Sequence, residues 1–459
     1  MPERNIKTKI GLILMRFISK LSQKLKLGSG TVIGGKVLLL LSPNALNILT
    51  SRKDTVLVSG TNGKTTTSYF IAKILSGCGL EVASNSEGAN MEAGLLTAVA
   101  NNPDCNVCVF ETDEHWLPEI LKKTHPKVIV LLNLTRDQLD RTTEVRTIAQ
   151  RWEKTFRGSM DITFVANCDD PLVAYSILNI KNVIWVSAGS NWTLDSNSCP
   201  LCGKVLEFSS DSTNLSYYKC TNCEFKKPNP DYVITSEKGE FTLSKVSNNT
   251  NNQIRYSTFL PGQFNGFNAG IAMVAANQLK CNFENSAVTV KNVTEVAGRY
   301  SKKYVKSLNL HVRLILAKNP AGWQEALNLI DPKSYVVIVA INAEIPDGKD
   351  PSWLFDVPFE LIKSKFVIAT GKRANDLAVR LSYADVNHQV IKDYPAIFNS
   401  TALKNIVQSF AERKESANKK ESAESNISTT DTPVKKDISS IDLIANYSAF
   451  QDFLKLEFT

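Results

Sequence analysis

Ser59-Gly60-Thr61-Asn62-Gly63-Lys64-Thr65-Thr66-Thr67 follows the apolar run TVLV and opens a helical pattern. Glycines let backbone N–H groups turn inward around phosphate oxygens, and a helix N-terminus favours their negative charge. Lys64 can then reach the outer phosphates, and Thr65 can hold Mg²⁺. Gly60, Thr61, Asn62, Gly63, Lys64, Thr65 and Thr66 therefore read as a cradle for a nucleoside triphosphate. The pattern departs from GxxxxGK[ST], because Val58 stands at the first glycine position. Glu111 follows the apolar stretch Val107 to Phe110, and ligands of an open parallel sheet collect outside the carboxyl ends of its strands. Glu111 is thus the preferred Mg²⁺ carboxylate. The run KVIVLLN would deliver Asn133, Asp137 and Asp140 to the same edge, where each of them also suits a helix cap or a surface.

Four thiols form a second group: Cys199 and Cys202, then Cys220 and Cys223, two CxxC pairs separated by 17 residues. Each CxxC turn offers two soft thiolates to one tetrahedral Zn²⁺, with Gly203 helping the first knuckle to turn. No activating base stands nearby, so the expected site is closed and structural. Cys78, Cys105, Cys108, Cys168 and Cys281 read as small core residues. With His115, His125, His311 and His388 as the whole supply of imidazoles, and none in a nucleophile motif, the chain is not expected to hydrolyse an amide unaided.

These groups need a scaffold. From residue 54 onward TVLVSG, VCVFE, KVIVLLN, DITFVAN and NVIWVS alternate with helical patterns, which predicts βαβ units and a mostly parallel, helix-covered sheet. The texture turns to Ser, Asn, Asp and Cys after about residue 190, as an insertion would. A second α/β series starts near His311 with HVRLILA, SYVVIVAIN, KFVIATG and DLIANY. The expected domains are a basic extension over residues 1–53, a central nucleotide-binding domain over 54–305 with a four-cysteine zinc ribbon inserted at about 195–228, and a Rossmann-like α/β domain over 306–459. Residues 411–440 are nearly free of aliphatic and aromatic side chains and read as a solvated loop within the last domain.

With 459 residues, 43% of them hydrophobic, and 22 Gly and 17 Pro, the composition excludes collagen-like and low-complexity classes. Nine Cys are too few for a disulfide scaffold, and paired CxxC turns point to a reducing cytoplasm. The net charge of +8 suits phosphates, nucleic acid or an anionic membrane face alike. Neither N-terminal apolar run spans a bilayer. Residues 4–27 read as a basic amphipathic helix, with Ile10, Leu14, Phe17 and Leu21 at helical spacing. Two readings stand: the helix touches the membrane surface from the cytoplasmic side, or it packs on the protein's own body.

GTNGKTTT at 60–67, Glu111, NLTRDQLDR at 133–141, NCDDP at 167–171 and PGQFNGFNAGIA at 261–272 resemble the central ATPase domain of the Mur ligases. The CxxC ribbon, SNSEGANMEAG at 84–94, AKNPAGW at 317–323 and DGKDPSW at 347–353 narrow the resemblance to the MurT family, the ligase-like subunits of lipid II isoglutaminyl synthase. The resemblance implies an enzyme that uses ATP and Mg²⁺ to activate the α-carboxylate of D-glutamate in the lipid II stem peptide as an acyl phosphate, which ammonia converts to D-isoglutamine. Lys64, Thr65 and Glu111 match its phosphate and metal residues, and Asn268 its adenine-contacting Asn. It further implies a separate class I glutaminase of the GatD type as partner, with Asp350 completing that partner's triad. By composition alone, Asp347 to Pro351 is a turn.

The sequence departs from the Mur ligase pattern in three places. About 54 residues precede the phosphate strand where UDP-gripping ligases carry a whole domain, so UDP binding is not expected. Gln138 stands at a metal-side His, and Lys318 at the His of the C-terminal pattern. Competing readings are another Mur-fold amide ligase, of the folylpolyglutamate synthase kind, and a zinc-ribbon NTPase that binds nucleic acid and loses affinity steeply with salt.

Overall fold

The structure, a computed structural model, describes residues 6–24, 31–85, 89–136, 145–189, 192–210, 216–246, 253–294, 296, 299–306, 310–332, 334–344, 347–398, 403, 405 and 440–456. Asp137, Gln138, Asp140 and the 411–440 loop, save Ser440, lie outside these. Two compact units emerge: Met1–Arg136 with Thr143–Ala297, and one built on Gly298–Thr459.

In the first unit the predicted runs become strands β1 (Asp54–Ser59), β3 (Val107–Glu111), β4 (Val128–Leu131), β5 (Thr163–Asn167) and β6 (Val183–Ser187), joined by the short β2 (Val82–Ser84). Three strands that the sequence reading did not single out, β9 (Tyr232–Glu237), β10 (Glu240–Lys245) and β11 (Gln253–Tyr256), extend the sheet beyond β6. The order is β11-β10-β9-β6-β5-β4-β1-β3-β2, parallel from β2 through β9 and antiparallel at β10 and β11. Consecutive side chains of a strand point to opposite faces. Val56 and Val58 accordingly join one buried cluster with Val107, Val109, Val128 and Val130, while Leu57, Cys108, Phe110, Ile129 and Leu131 join the other. Burial on both faces explains why these strands read as continuous apolar runs rather than as alternation.

The chain leaves β1, places β2 and β3 on one side of it, and then crosses to β4 on the other. The carboxyl end of β1 is therefore the point where strand order reverses, the usual crevice for ligands in such sheets. Helix Lys64–Gly77 packs beside helix Gln263–Asn277 over the first face. Gly266 allows that second helix to come close, since a Cβ there would lie 2.0 Å from the Phe241 ring on β10.

The inserted segment forms an antiparallel hairpin of β7 (Leu206–Ser210) and β8 (Ser216–Cys220). Cys105, Cys108, Cys168 and Cys281 are buried as expected. Cys78 is not. It caps the exposed C-terminus of helix Lys64–Gly77 and is joined to Cys281 in a disulfide, their Cα atoms 6.1 Å apart. The adjoining ends of the two packed helices bring the pair within reach.

The second unit holds β12 (Tyr300–Val305), β13 (Leu310–Leu316), β14 (Val336–Ala340), β15 (Phe366–Thr370), β16 (Asn387–Val390) and β17 (Ser440–Ala445). Their order is β12-β13-β17-β14-β15-β16, parallel except for β12. Among the described residues no helix is long and apolar enough to cross a membrane.

Gly266→Ala should overpack the helix against Phe241 and lower unfolding stability by about 1–3 kcal/mol, read by urea denaturation. An unchanged midpoint would show that the contact yields freely.

Candidate functional site

β1 ends in a turn that only a permissive backbone can make. Gly63 adopts φ +85° at the N-cap of helix Lys64–Gly77, and a Cβ there would lie 2.8 Å from Asn268 Oδ1. Gly63 thus supplies both the left-handed conformation and the room for the side chain that helix Gln263–Asn277 brings to the loop. It contributes no side-chain cap to a helix N-terminus that favours negative charge.

The loop is stapled to the segment after β4. Thr61 N–H donates to Asn133 O at 2.8 Å, and Asn62 N–H to Asn133 Oδ1 at 2.9 Å. Asn133 Nδ2 returns a bond to Asn62 O at 3.0 Å, while Thr61 Oγ1 donates to Thr135 O and accepts from Thr135 N, each at 3.0 Å. Asn133 therefore stands where the sequence predicted, and its amide replicates a backbone ladder beyond the strand ends. Thr135 does the same work and was not singled out.

Lys64 is buried, and its ammonium donates to Gly60 O at 2.5 Å, Thr61 O at 3.0 Å and Glu114 Oε2 at 2.9 Å. Glu114 escaped the sequence reading. Its signal was present, as an acid in the turn directly after β3, on the edge that Glu111 already marked. The charge of Lys64 is balanced by Glu114 from the turn after β3, and its neighbourhood is crowded with acids: burial, with the charge of Glu114, raises the Asp113 carboxyl above the usual range against the opposing pull of Lys64.

Glu111 pairs in register with Val58 of β1, beside the root of the loop. Asn85 fixes its backbone from both sides, accepting from Glu111 N and donating to Glu111 O, each at 2.8 Å. The residue is 2% exposed, and its Oε2 is buried with no hydrogen-bond partner. A buried, unpaired carboxylate oxygen is costly. A hard cation would satisfy it, so Glu111 fits Mg²⁺.

The four cysteines predicted as ligands also meet, with all four sulfurs within 4.8 Å of one another. Cys199 and Cys223 Sγ are 3.6 Å apart, Cys202 and Cys220 Sγ 3.4 Å. A tetrahedron with metal–sulfur bonds of about 2.3 Å has sulfur–sulfur edges of about 3.8 Å, so the cluster fits a four-thiolate site. Gly203, at φ +76°, donates its N–H to Cys199 O and forms the first knuckle. A small core of Ala174, Leu206, Tyr218 and Phe225 lies beneath.

In the second unit Asp350 is exposed, and its Oδ1 accepts from Ser352 N at 2.8 Å, which holds its carboxyl below the usual range. Asp347, three residues earlier, is buried.

Lys64→Met would leave the Glu114 carboxylate buried without its cation. Unfolding stability should fall by about 3–5 kcal/mol, and Glu114→Gln in the same chain should recover most of it. Equal losses in the single and double variants, measured by urea denaturation, would dismiss the pair.

Two family models match: the Mur ligase middle domain over residues 58–276 and the MurT ligase C-terminal domain over 316–450. The chain is 30% identical over 389 residues to the lipid II isoglutaminyl synthase (glutamine-hydrolyzing) subunit MurT of Staphylococcus aureus strain N315, covering 81% of this chain and 87% of that one. It is 29% identical over 400 residues to the subunit of the same name from Streptococcus pneumoniae, covering 82% and 87%. A pseudomurein peptide ligase type C from Methanothermus fervidus shares the fold, with a TM-score of 0.62 at 22% identity over 89% of this chain and 80% of that one. A relative of this identity, matched along most of both chains and carrying both domain models, settles the kinship: the chain belongs to the MurT family of Mur ligases, the subunits of lipid II isoglutaminyl synthase.

Proposed function

We propose that the chain consumes ATP to amidate the α-carboxylate of D-glutamate in the stem peptide of lipid II, through an acyl phosphate, with ammonia from a GatD-type glutaminase partner. The observation that carries this reading is the orphaned Glu111 oxygen beside a loop whose buried lysine and helix N-terminus suit phosphate. A carboxylate resists nucleophiles until phosphorylation gives it a leaving group, and phosphoryl transfer chiefly needs positioned positive charge. Gly60 to Thr66 supply the backbone cradle, Lys64 steadies the outer phosphates, and Thr65 and Glu111 would hold Mg²⁺, which neutralises charge on the transferred group. Asn268, in contact distance of the loop at Gly63, fits the role of orienting the nucleotide. Residues 54–305 would form the ATP-binding body and 306–459 the Rossmann-like domain that meets the partner. Its exposed Asp350 would orient the partner's imidazole as the third member of a triad.

The cysteine cluster supports a zinc ribbon with a structural role. Purified protein should carry stoichiometric zinc, and Cys220→Ser should lose the metal and unfold the hairpin. Binding energies of about 10–16 kcal/mol in zinc-finger peptides indicate how much stability such a site can contribute. Metal analysis that finds none in the wild type would remove the zinc.

With ATP, Mg²⁺ and lipid II, the complex should amidate its substrate from either glutamine or free ammonia. Asp350→Ala should spare the ammonia-driven reaction and lower the glutamine-driven one on the order of 10³–10⁴-fold. Absence of ATP consumption in the wild type would overturn the function, and equal loss of both reactions in the variant would overturn the role of Asp350.

A further inference from the structure

Of the two readings of the N-terminal helix Ile6–Lys24, the structure leaves the stripe of Ile10, Leu14 and Phe17 off the protein's own body. Thr8, Leu12 and Met15 are buried, with Thr8 Oγ1 2.8 Å from Ser42 Oγ, and Gly11 lies so close to Leu38 that a Cβ would come within 2.6 Å of it. Ile6, Ile10, Ile13, Leu14 and Phe17 lie on the opposite side, within an arc of about 100° at helical spacing. They are left in solvent, Ile6 at 73%, Ile13 at 68% and Phe17 at 64% exposure. Leu40, on the adjoining helix Thr31–Leu41, is 82% exposed. Stripes of this size on a soluble surface mark an interaction site.

Charge decides what meets it. Between Arg4 and Lys53 there are ten Lys and Arg and not one Asp or Glu, leaving 43 basic against 45 acidic side chains in the rest of the chain. The whole basic excess of the protein therefore resides in the segment that presents the stripe. Lys7 and Lys9 are exposed and flank the stripe on its two sides. A second copy of this segment would bring the same positive charge to the contact and repel it. The occupant must be apolar within and anionic at its surface, and a bilayer containing acidic phospholipid is both.

We propose that the helix Ile6–Lys24 docks flat on an anionic phospholipid bilayer, with Ile6, Ile10, Ile13, Leu14 and Phe17 inserted among the acyl chains and the flanking lysines at the headgroups. The proposal is independent of the amidation reading, because it requires no substrate in the membrane.

The test is flotation of the full-length chain with vesicles free of any cell-wall precursor, made either of phosphatidylcholine alone or of phosphatidylcholine mixed with phosphatidylglycerol. The mixed vesicles should recruit the wild type, the neutral ones far less, and added salt should weaken the recruitment. Ile13→Glu with Phe17→Glu should reduce binding at least about tenfold. Both residues are exposed, so the thermal midpoint should not move. Failure of the mixed vesicles to bind the wild type, or equal binding by the double variant, would overturn the proposal. So would a wild-type dimer in sedimentation that the double variant dissolves, because the stripe would then be an interface between copies.

Discussion

An ammonium group almost out of reach of water organises the carboxyl edge of the first sheet around β1. Lys64 Nζ gathers two carbonyls of the turn that precedes it and one carboxylate from the segment after β3. The turn thus wraps around a cation that its own chain supplies, and Glu114 offsets the desolvation of that charge. Such an arrangement holds only if the turn cannot drift, and the reciprocal bonds between Asn62 and Asn133 fix it to the segment after β4. Negative charge entering the loop meets a lysine already positioned, at little cost in side-chain entropy.

A second buried pair performs a comparable task for the inserted hairpin. Lys227, just past the last cysteine pair, reaches Asp169 at 2.5 Å, and the same carboxylate accepts from Ala188 N and Gly189 N at 2.7 Å each. Tyr218 on β8 donates to Cys168 O at 3.1 Å. The hairpin is tied to the ends of β5 and β6 by charge, by a phenol and by a shared apolar core. Asp170, next in sequence, caps helix Pro171–Ser176 through Leu172 N and Val173 N, and also accepts from Leu134 N. Burial nonetheless pushes its carboxyl up to about 6. The run NCDDP therefore serves as a joint, with one acid paired to the segment after the hairpin and the other linking a helix to the segment after β4.

The glycine turn after β1, the acid at the end of β3 and the thiol cluster were legible because each rests on local order: glycines at fixed offsets, an acid at a strand end, paired CxxC turns. The parallel strands were legible because burial on both faces makes them continuously apolar. What escaped depends on tertiary placement. Glu114 became significant only when the turn after β3 brought it to Lys64. Strands β9 to β11 escaped because YVITSE and EFTLSK are half-polar, with alternate side chains buried on only one face toward the β11 end of the sheet. The N-terminal helix was correctly seen as amphipathic, but periodicity locates an apolar face without saying whether protein or solvent covers it. Here the neighbouring helix took Gly11 and Met15 instead, since small and flexible side chains allow closer approach than the branched stripe does.

The two aspartates of DGKDPSW show how one short turn can serve opposite ends. Asp347 is buried and accepts from Ser448 N, Ser448 Oγ and Glu344 N, so it anchors the turn to helix Tyr447–Lys455 and to its own strand end. Gly348, at φ +80°, then reverses the chain. Asp350 emerges at the surface with one oxygen accepting from Ser352 N, which keeps its carboxyl below the usual range. The role proposed for Asp350, orienting an imidazolium on another subunit, would need a fixed base, a retained negative charge and an accessible face. The buried acid supplies the first of these and the exposed one the other two. Composition alone reads the segment as a turn, and it is one; under the proposed role, the division of labour between its acids would suit that turn to a partner.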